Sequence, residues 1–121
     1  MNTLAIAILS ISLSVIAQFS LKIGMSDFEV KTAMSSPFSI HSAFIILINR
    51  FILGGFLLYG LGAVIWLGVL YKWDVSKAYP LVGLGFVFTA IIGLMVGEQV
   101  TAQRAVGIVL ISLGVLLVGR S

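Results

Sequence analysis

Apolar residues run along this chain in long blocks separated by short polar breaks, and the blocks show no alternation with a period of two. Four of them, about 3–22, 50–71, 75–96 and 103–118, come close to the roughly 20 residues an α-helix needs to cross ~30 Å of hydrocarbon. Continuous apolar runs exclude a strand-built barrel. The pattern therefore predicts an all-α integral membrane protein, with four transmembrane helices forming a single domain over 1–121. The breaks after the second and third blocks, Lys72-Trp73-Asp74 and Gly97 to Ala102, are short, so consecutive helices there are antiparallel. The opening stretch, Met1 to Ala17, has no basic residue before its apolar run and stays apolar past Phe19 and Leu21. It is expected to be a retained span and not a cleaved signal.

The first connection, Gly24 to about Asn49, is longer than ordinary loops. Ser36 followed by Pro37 reads as an N-cap with proline at the first helical position, and the apolar segment Phe38 to Ile48 follows. One unbroken helix from Pro37 to Tyr71 would be about 52 Å long at ~1.5 Å per residue, well beyond the bilayer core. A short interfacial helix between the first and second spans, with a bend near Asn49, is the expected arrangement.

Composition narrows the chemistry. Hydrophobic residues make up 60% of the chain and charged residues 9%, against about 25% charged in soluble domains, so lipid is the solvent for most of it. There are no cysteines and a single histidine, His41, which removes disulfides, thiol chemistry and a His-based metal cluster; no metal or cofactor is expected. The seven Lys and Arg outnumber four Asp and Glu, but they stand singly at the edges of apolar blocks. That placement fits lipid headgroups and not nucleic acid. With four spans, Lys72, Lys77 and Arg120 share a side with the N-terminus, opposite Lys22, Lys31, Arg50 and Arg104. This near balance leaves two readings open, a weak topological signal or dual topology with an antiparallel pair of identical chains.

The first span is polar for a membrane helix. Ser10, Ser14, Gln18 and Lys22 follow at i, i+4 steps and share one side. They serve either as packing cement, at about 0.6 kcal/mol per interhelical hydrogen bond, or as a groove that holds hydroxyls and then an anionic group at the Lys22 end. The third span carries Gly85, Thr89, Gly93 and Gly97 at four-residue spacing, together with Gly83. These form a packing face; alternatively Pro80, Gly83 and Gly85 form a hinge, since proline removes a backbone hydrogen bond and glycine softens the helix. In the fourth span Gly107, Leu110, Ile111, Gly114 and Val115 make a small-and-branched seam suited to helix association. Thr101 is its expected N-cap, and Glu98, six residues before Arg104, is expected to form an ion pair at the membrane edge in preference to a role in proton coupling. Trp66, Trp73, Tyr59, Tyr71 and Tyr79 are aromatic-belt or packing candidates, with Tyr79 placed to offer its hydroxyl to a headgroup. No phosphate-binding P-loop, paired carboxylates or base-activated nucleophile is found, so binding and translocation are expected and enzymatic catalysis is not.

The order of these features resembles the small-multidrug-resistance-like branch of the drug/metabolite transporter superfamily. The resemblance rests on Lys22 closing the first span, Trp66 in the second and Ser76-Lys77-Ala78-Tyr79-Pro80 opening the third. Gly97-Glu98 follows, and then the Gly107 to Val115 seam. It covers the chain apart from 27–48 and implies one of two activities. Proton-coupled exporters of small cations or metabolites use a glutamate in the first span, and Ser14 stands at that position here. EamA-like proteins similar to the subunits that flip aminoarabinose linked to undecaprenyl phosphate share Ala78-Tyr79-Pro80, a glutamine matching Gln18 and the Gly97-Glu98 pair. The second resemblance implies a flippase for a polyprenyl-phosphate-linked sugar in the bacterial inner membrane. Ser14, Gln18, Lys22, Tyr79 and Glu98 would bind the substrate. It also implies a dimer, with a second copy or a similar small subunit, joined through the fourth spans. A non-transporting accessory subunit is the third reading.

Overall fold

The structure, a computed structural model, describes residues 2–121. Asn2 starts the first span: its side-chain oxygen accepts from the Leu4 N–H at 2.9 Å, capping α1 (Thr3–Met25). At ~1.5 Å per residue, its 23 residues extend about 34 Å, enough to cross the hydrocarbon. The second span is α4 (Arg50–Lys72), the third is divided into α5 (Val75–Leu81) and α6 (Leu84–Met95), and the fourth is α7 (Ala102–Arg120). These four spans are long and apolar enough to cross a membrane, so the chain is a multi-pass membrane protein. Thr101 caps α7 as expected, its Oγ1 accepting from the Arg104 N–H at 3.1 Å.

The long first connection holds two short helices, α2 (Phe28–Ser35) and α3 (Ile40–Ile48), where one was expected. The expected cap at Ser36 with Pro37 at the first helical position is corrected. Ser36 ends α2 in an extended conformation, which a following proline favours. Ser39 caps the next helix through a reciprocal box in which its hydroxyl accepts from the Ser42 N–H and its own N–H donates to Ser42 Oγ. The bend near Asn49 is present: this residue ends α3 and caps α4, its Oδ1 accepting from the N–H groups of Phe51 and Ile52.

The first two spans form the tightest pair, because α4 presents glycines to α1. A Cβ on Gly55 would lie 2.8 Å from Leu21 and 3.1 Å from the Ala17 carbonyl; one on Gly62 would lie 3.3 Å from the Ser10 carbonyl. At that approach polar groups cross directly. The buried Ser10 hydroxyl donates to the Gly62 carbonyl at 2.6 Å, and Ser20 donates to that of Phe51 at 2.6 Å.

The third span joins this pair at Gly85, where an added Cβ would touch Ile11 and Val15 of α1 at 3.4 and 3.5 Å. The fourth span packs on the third, against α5 and α6. Ala7, Val69, Ala78, Leu81 and Val115 bring all four spans into one buried cluster near the membrane edge that carries Asn2. The third span is broken where the sequence placed Pro80, Gly83 and Gly85. Pro80 has no N–H to give, and the following turn is closed by i to i−3 bonds, Val82 to Tyr79 at 3.0 Å and Gly83 to Pro80 at 2.9 Å.

Candidate functional site

The polar stripe of α1 does not face one continuous pocket. Its inner half, Ser10 and Ser14, lines a half-open groove of about 460 Å³ together with Tyr59, Trp66 and Leu67 of α4 and Tyr79 and Val82 of the third span. Ser14 Oγ is turned back onto the Ser10 carbonyl at 3.1 Å, so it keeps acceptor lone pairs free for the groove. Three aromatic side chains with serine hydroxyls and no charge make a wall that can stack on a sugar ring or take an apolar body, with few polar groups to orient it.

The outer half, Gln18 and Lys22, lines a second and smaller cleft of about 160 Å³ with Phe19, Thr89 and Glu98. Glu98 reaches it because α6 ends in a Schellman turn. Gly97 takes a left-handed φ of +93°, and the Glu98 N–H folds back to the Gly93 carbonyl at 2.8 Å. Gly93 leaves room for the carboxylate above it, since a Cβ there would be 3.4 Å from Glu98 Oε1. The four-residue small stripe is thereby divided by role: Gly85 packs on α1, Gly93 seats Glu98 and Gly97 turns the chain. The expected pair between Glu98 and Arg104 is corrected. Arg104 Nη1 instead donates to the Gln99 carbonyl at 3.0 Å, satisfying a loop backbone acceptor.

Gln18 stands between the two clefts, its Nε2 donating to the Tyr59 hydroxyl at 2.9 Å. Thus Ser14 and Tyr79 are brought together in the inner groove, and Gln18, Lys22 and Glu98 in the outer cleft. Eight residues, or about 12 Å of helix, separate Ser14 from Lys22. Sequence reasoning kept Tyr59 among the belt aromatics and gave Trp66 no place in a site. The signal was there, since Tyr59, Ala63 and Trp66 follow at i, i+4 and i+7 and so share the face of α4 that lines the groove. Thr89, read as a packing residue, lines the outer cleft.

The seam of α7 is also divided. Val115 is buried in the four-span cluster, and Ile111 lies with it against Gly83, where a Cβ would be 3.0 Å from Ile111 and 2.8 Å from Val115. Gly107 and Gly114 have nothing within 4 Å of an added Cβ, and Leu110 is exposed.

Four apolar spans packed as a bundle, with a polar stripe leading from an uncharged groove to a charged edge cleft, define a small four-span integral membrane protein. The chain is 33% identical over 118 residues to a probable 4-amino-4-deoxy-L-arabinose-phosphoundecaprenol flippase subunit ArnF from Proteus mirabilis, covering 94% of this chain and 89% of that one. It is 47% identical over 62 residues to a probable flippase subunit ArnE of the same description from Pseudomonas savastanoi pv. phaseolicola, covering 50% of this chain and 54% of that one. A Pseudomonas syringae pv. syringae ArnE is 44% identical over 62 residues. Against these ArnE relatives the chain aligns over about half of their length. The chain belongs to the ArnE/ArnF family of small multidrug resistance-like membrane proteins. No family model and no solved structure matches it.

Proposed function

We propose that this chain is a subunit of a flippase that carries a polyprenyl-phosphate-linked sugar across the bacterial inner membrane. The observation that carries this reading is the match to a flippase subunit ArnF over 94% of the chain. The lipid phosphate stays at the Lys22 edge, where an ammonium meets it without crossing the hydrocarbon. The sugar passes along Gln18 and Ser14 into the aromatic groove at Tyr59, Trp66 and Tyr79, and the tail remains in lipid beside the open helix faces. The protein supplies a path and no bond-making chemistry. Movement comes from tilting of the third span about Pro80, Gly83 and Gly85.

One bundle has little internal room, so a second subunit, either another copy or a similar small chain, completes the pathway. It docks on the bare side of the α7 seam, at Gly107, Leu110 and Gly114. Ser14 at the middle of α1 argues against proton-coupled cation export, because a hydroxyl offers neither a proton-binding carboxylate nor a counter-charge.

The test is reconstitution, alone and with a companion subunit, into vesicles holding undecaprenyl phosphate linked to an amino sugar. Access of that amine to a membrane-impermeant reagent is followed over time. Faster exposure of the inner-leaflet pool supports the proposal. Its failure in both preparations, alongside pH-dependent binding of a hydrophobic cation, would sink it.

A further inference from the structure

Lys22 and Glu98 belong to different spans and line the same small cleft, yet among the described residues neither charged group has a hydrogen-bond or salt-bridge partner. Arg104, the other cation near Glu98, shares a neighbouring cleft with it but is held by the Gln99 carbonyl. Both side chains are exposed, so neither charge is neutralised within the chain and both remain available to a ligand. The local backbone nevertheless fixes Glu98 in this position, through the left-handed Gly97 and the bare Gly93.

We infer that the outer cleft reads a zwitterionic headgroup, with Lys22 taking the phosphate and Glu98 a primary amine on the sugar. This inference rests on the flippase reading and adds the chemistry that selects the cargo. A headgroup bearing phosphate alone satisfies Lys22 and meets repulsion from Glu98. One bearing phosphate and ammonium satisfies both. The cleft, at about 160 Å³, holds the volume of some five waters at ~30 Å³ each, the scale of one sugar ring. Gln18 and Thr89 supply hydrogen bonds to the ring hydroxyls between the two charges, and Phe19 supplies an apolar face. Glu98 is thus a specificity-determining residue, set by the turn that ends the third span.

The test is native mass spectrometry of the intact protein with three probes: undecaprenyl phosphate, the same lipid bearing an aminopentose, and its N-acetylated form. Wild type is expected to retain the amine at least tenfold better than the N-acetyl form. Glu98→Gln is expected to erase that preference, while Lys22→Gln weakens retention of all three. The wild-type comparison needs no variant to fold. Equal retention of the amine and N-acetyl forms by wild type, or a preference that persists in Glu98→Gln, overturns the inference and leaves the flippase reading intact. No binding of any of the three overturns both.

Discussion

Gln18 on the first span and Tyr59 on the second, 41 residues apart in sequence, are joined by a 2.9 Å hydrogen bond at the boundary between an uncharged groove and a charged cleft. Its position makes it a partition as much as a tie between helices.

The two residues are expected to part company on substitution. Tyr59→Phe removes the acceptor but frees the Gln18 amide, so transport should hold or rise. Gln18→Leu removes the polar group along the path, so transport should fall severalfold. Each variant should change thermal stability by only about 0.6 kcal/mol, the usual scale for a hydrogen bond between membrane helices. Flipping rates and melting curves measured on the same preparations decide the matter. Equal losses of transport in both variants, tracking stability, would reduce the pair to packing.

Gly55 and Gly60 lie on the same helix in opposite surroundings. Gly55→Ala drives a methyl into Leu21 and the Ala17 carbonyl and should destabilise by about 1–3 kcal/mol, the range for overpacking. Gly60→Ala meets nothing within 4 Å and should be neutral or mildly stabilising, because alanine is the better helix former. Thermal unfolding in detergent gives the comparison; similar values for the two would contradict the close approach of α1 and α4.

For the break in the third span, Pro80→Ala restores an N–H and favours a continuous helix. It should raise stability and slow flipping. Gly83→Ala, whose methyl would meet Val115, Ile111 and the Pro80 carbonyl, should lower both. If Pro80→Ala flips at the wild-type rate, the break is not a working hinge.

The absence of native cysteine makes α7 simple to probe. Gly114→Cys is expected to cross-link two subunits under mild oxidation, since that position has open space beside it. Val115→Cys, buried within its own bundle, is expected not to. Cross-linking at 115 and not at 114 would place the partner on another face.

A left-handed residue supports Glu98, and this too can be measured. Gly97→Ala should cost about 1–2 kcal/mol, because a Cβ disfavours φ near +93°. It should also weaken headgroup retention by moving the carboxylate.

The four spans were legible because bilayer thickness fixes the length of an apolar run, and the α1 stripe because i, i+4 spacing fixes a helix face. The α2 helix was not legible: its few apolar residues, Phe28, Val30, Ala33 and Met34, are too sparse and too short a run to announce a helix. Ser36-Pro37 carries the local signature of a helix start, and Ser39 prevailed only because Ser42 answers its cap with a second hydrogen bond. The tie of Gln18 to Tyr59 depends on how two helices are rotated against each other. No local spacing encodes that. Glu98 lines a cleft with Lys22 and is not paired with the expected Arg104, since reach across a turn is set by backbone geometry and not by separation along the chain.

Gly85 sits where the third span crosses the first, and the two clefts lie to either side of it. Tyr79 and Val82 precede the crossing and wall the inner groove; Thr89 and Glu98 follow it and wall the outer one. The opposite walls, Ser14, Gln18 and Lys22, belong to a helix that Gly55 and Gly62 seat firmly on its neighbour. If the third span tilts as proposed, Gly85 is its fulcrum, and a rotation that widens one cleft is expected to narrow the other.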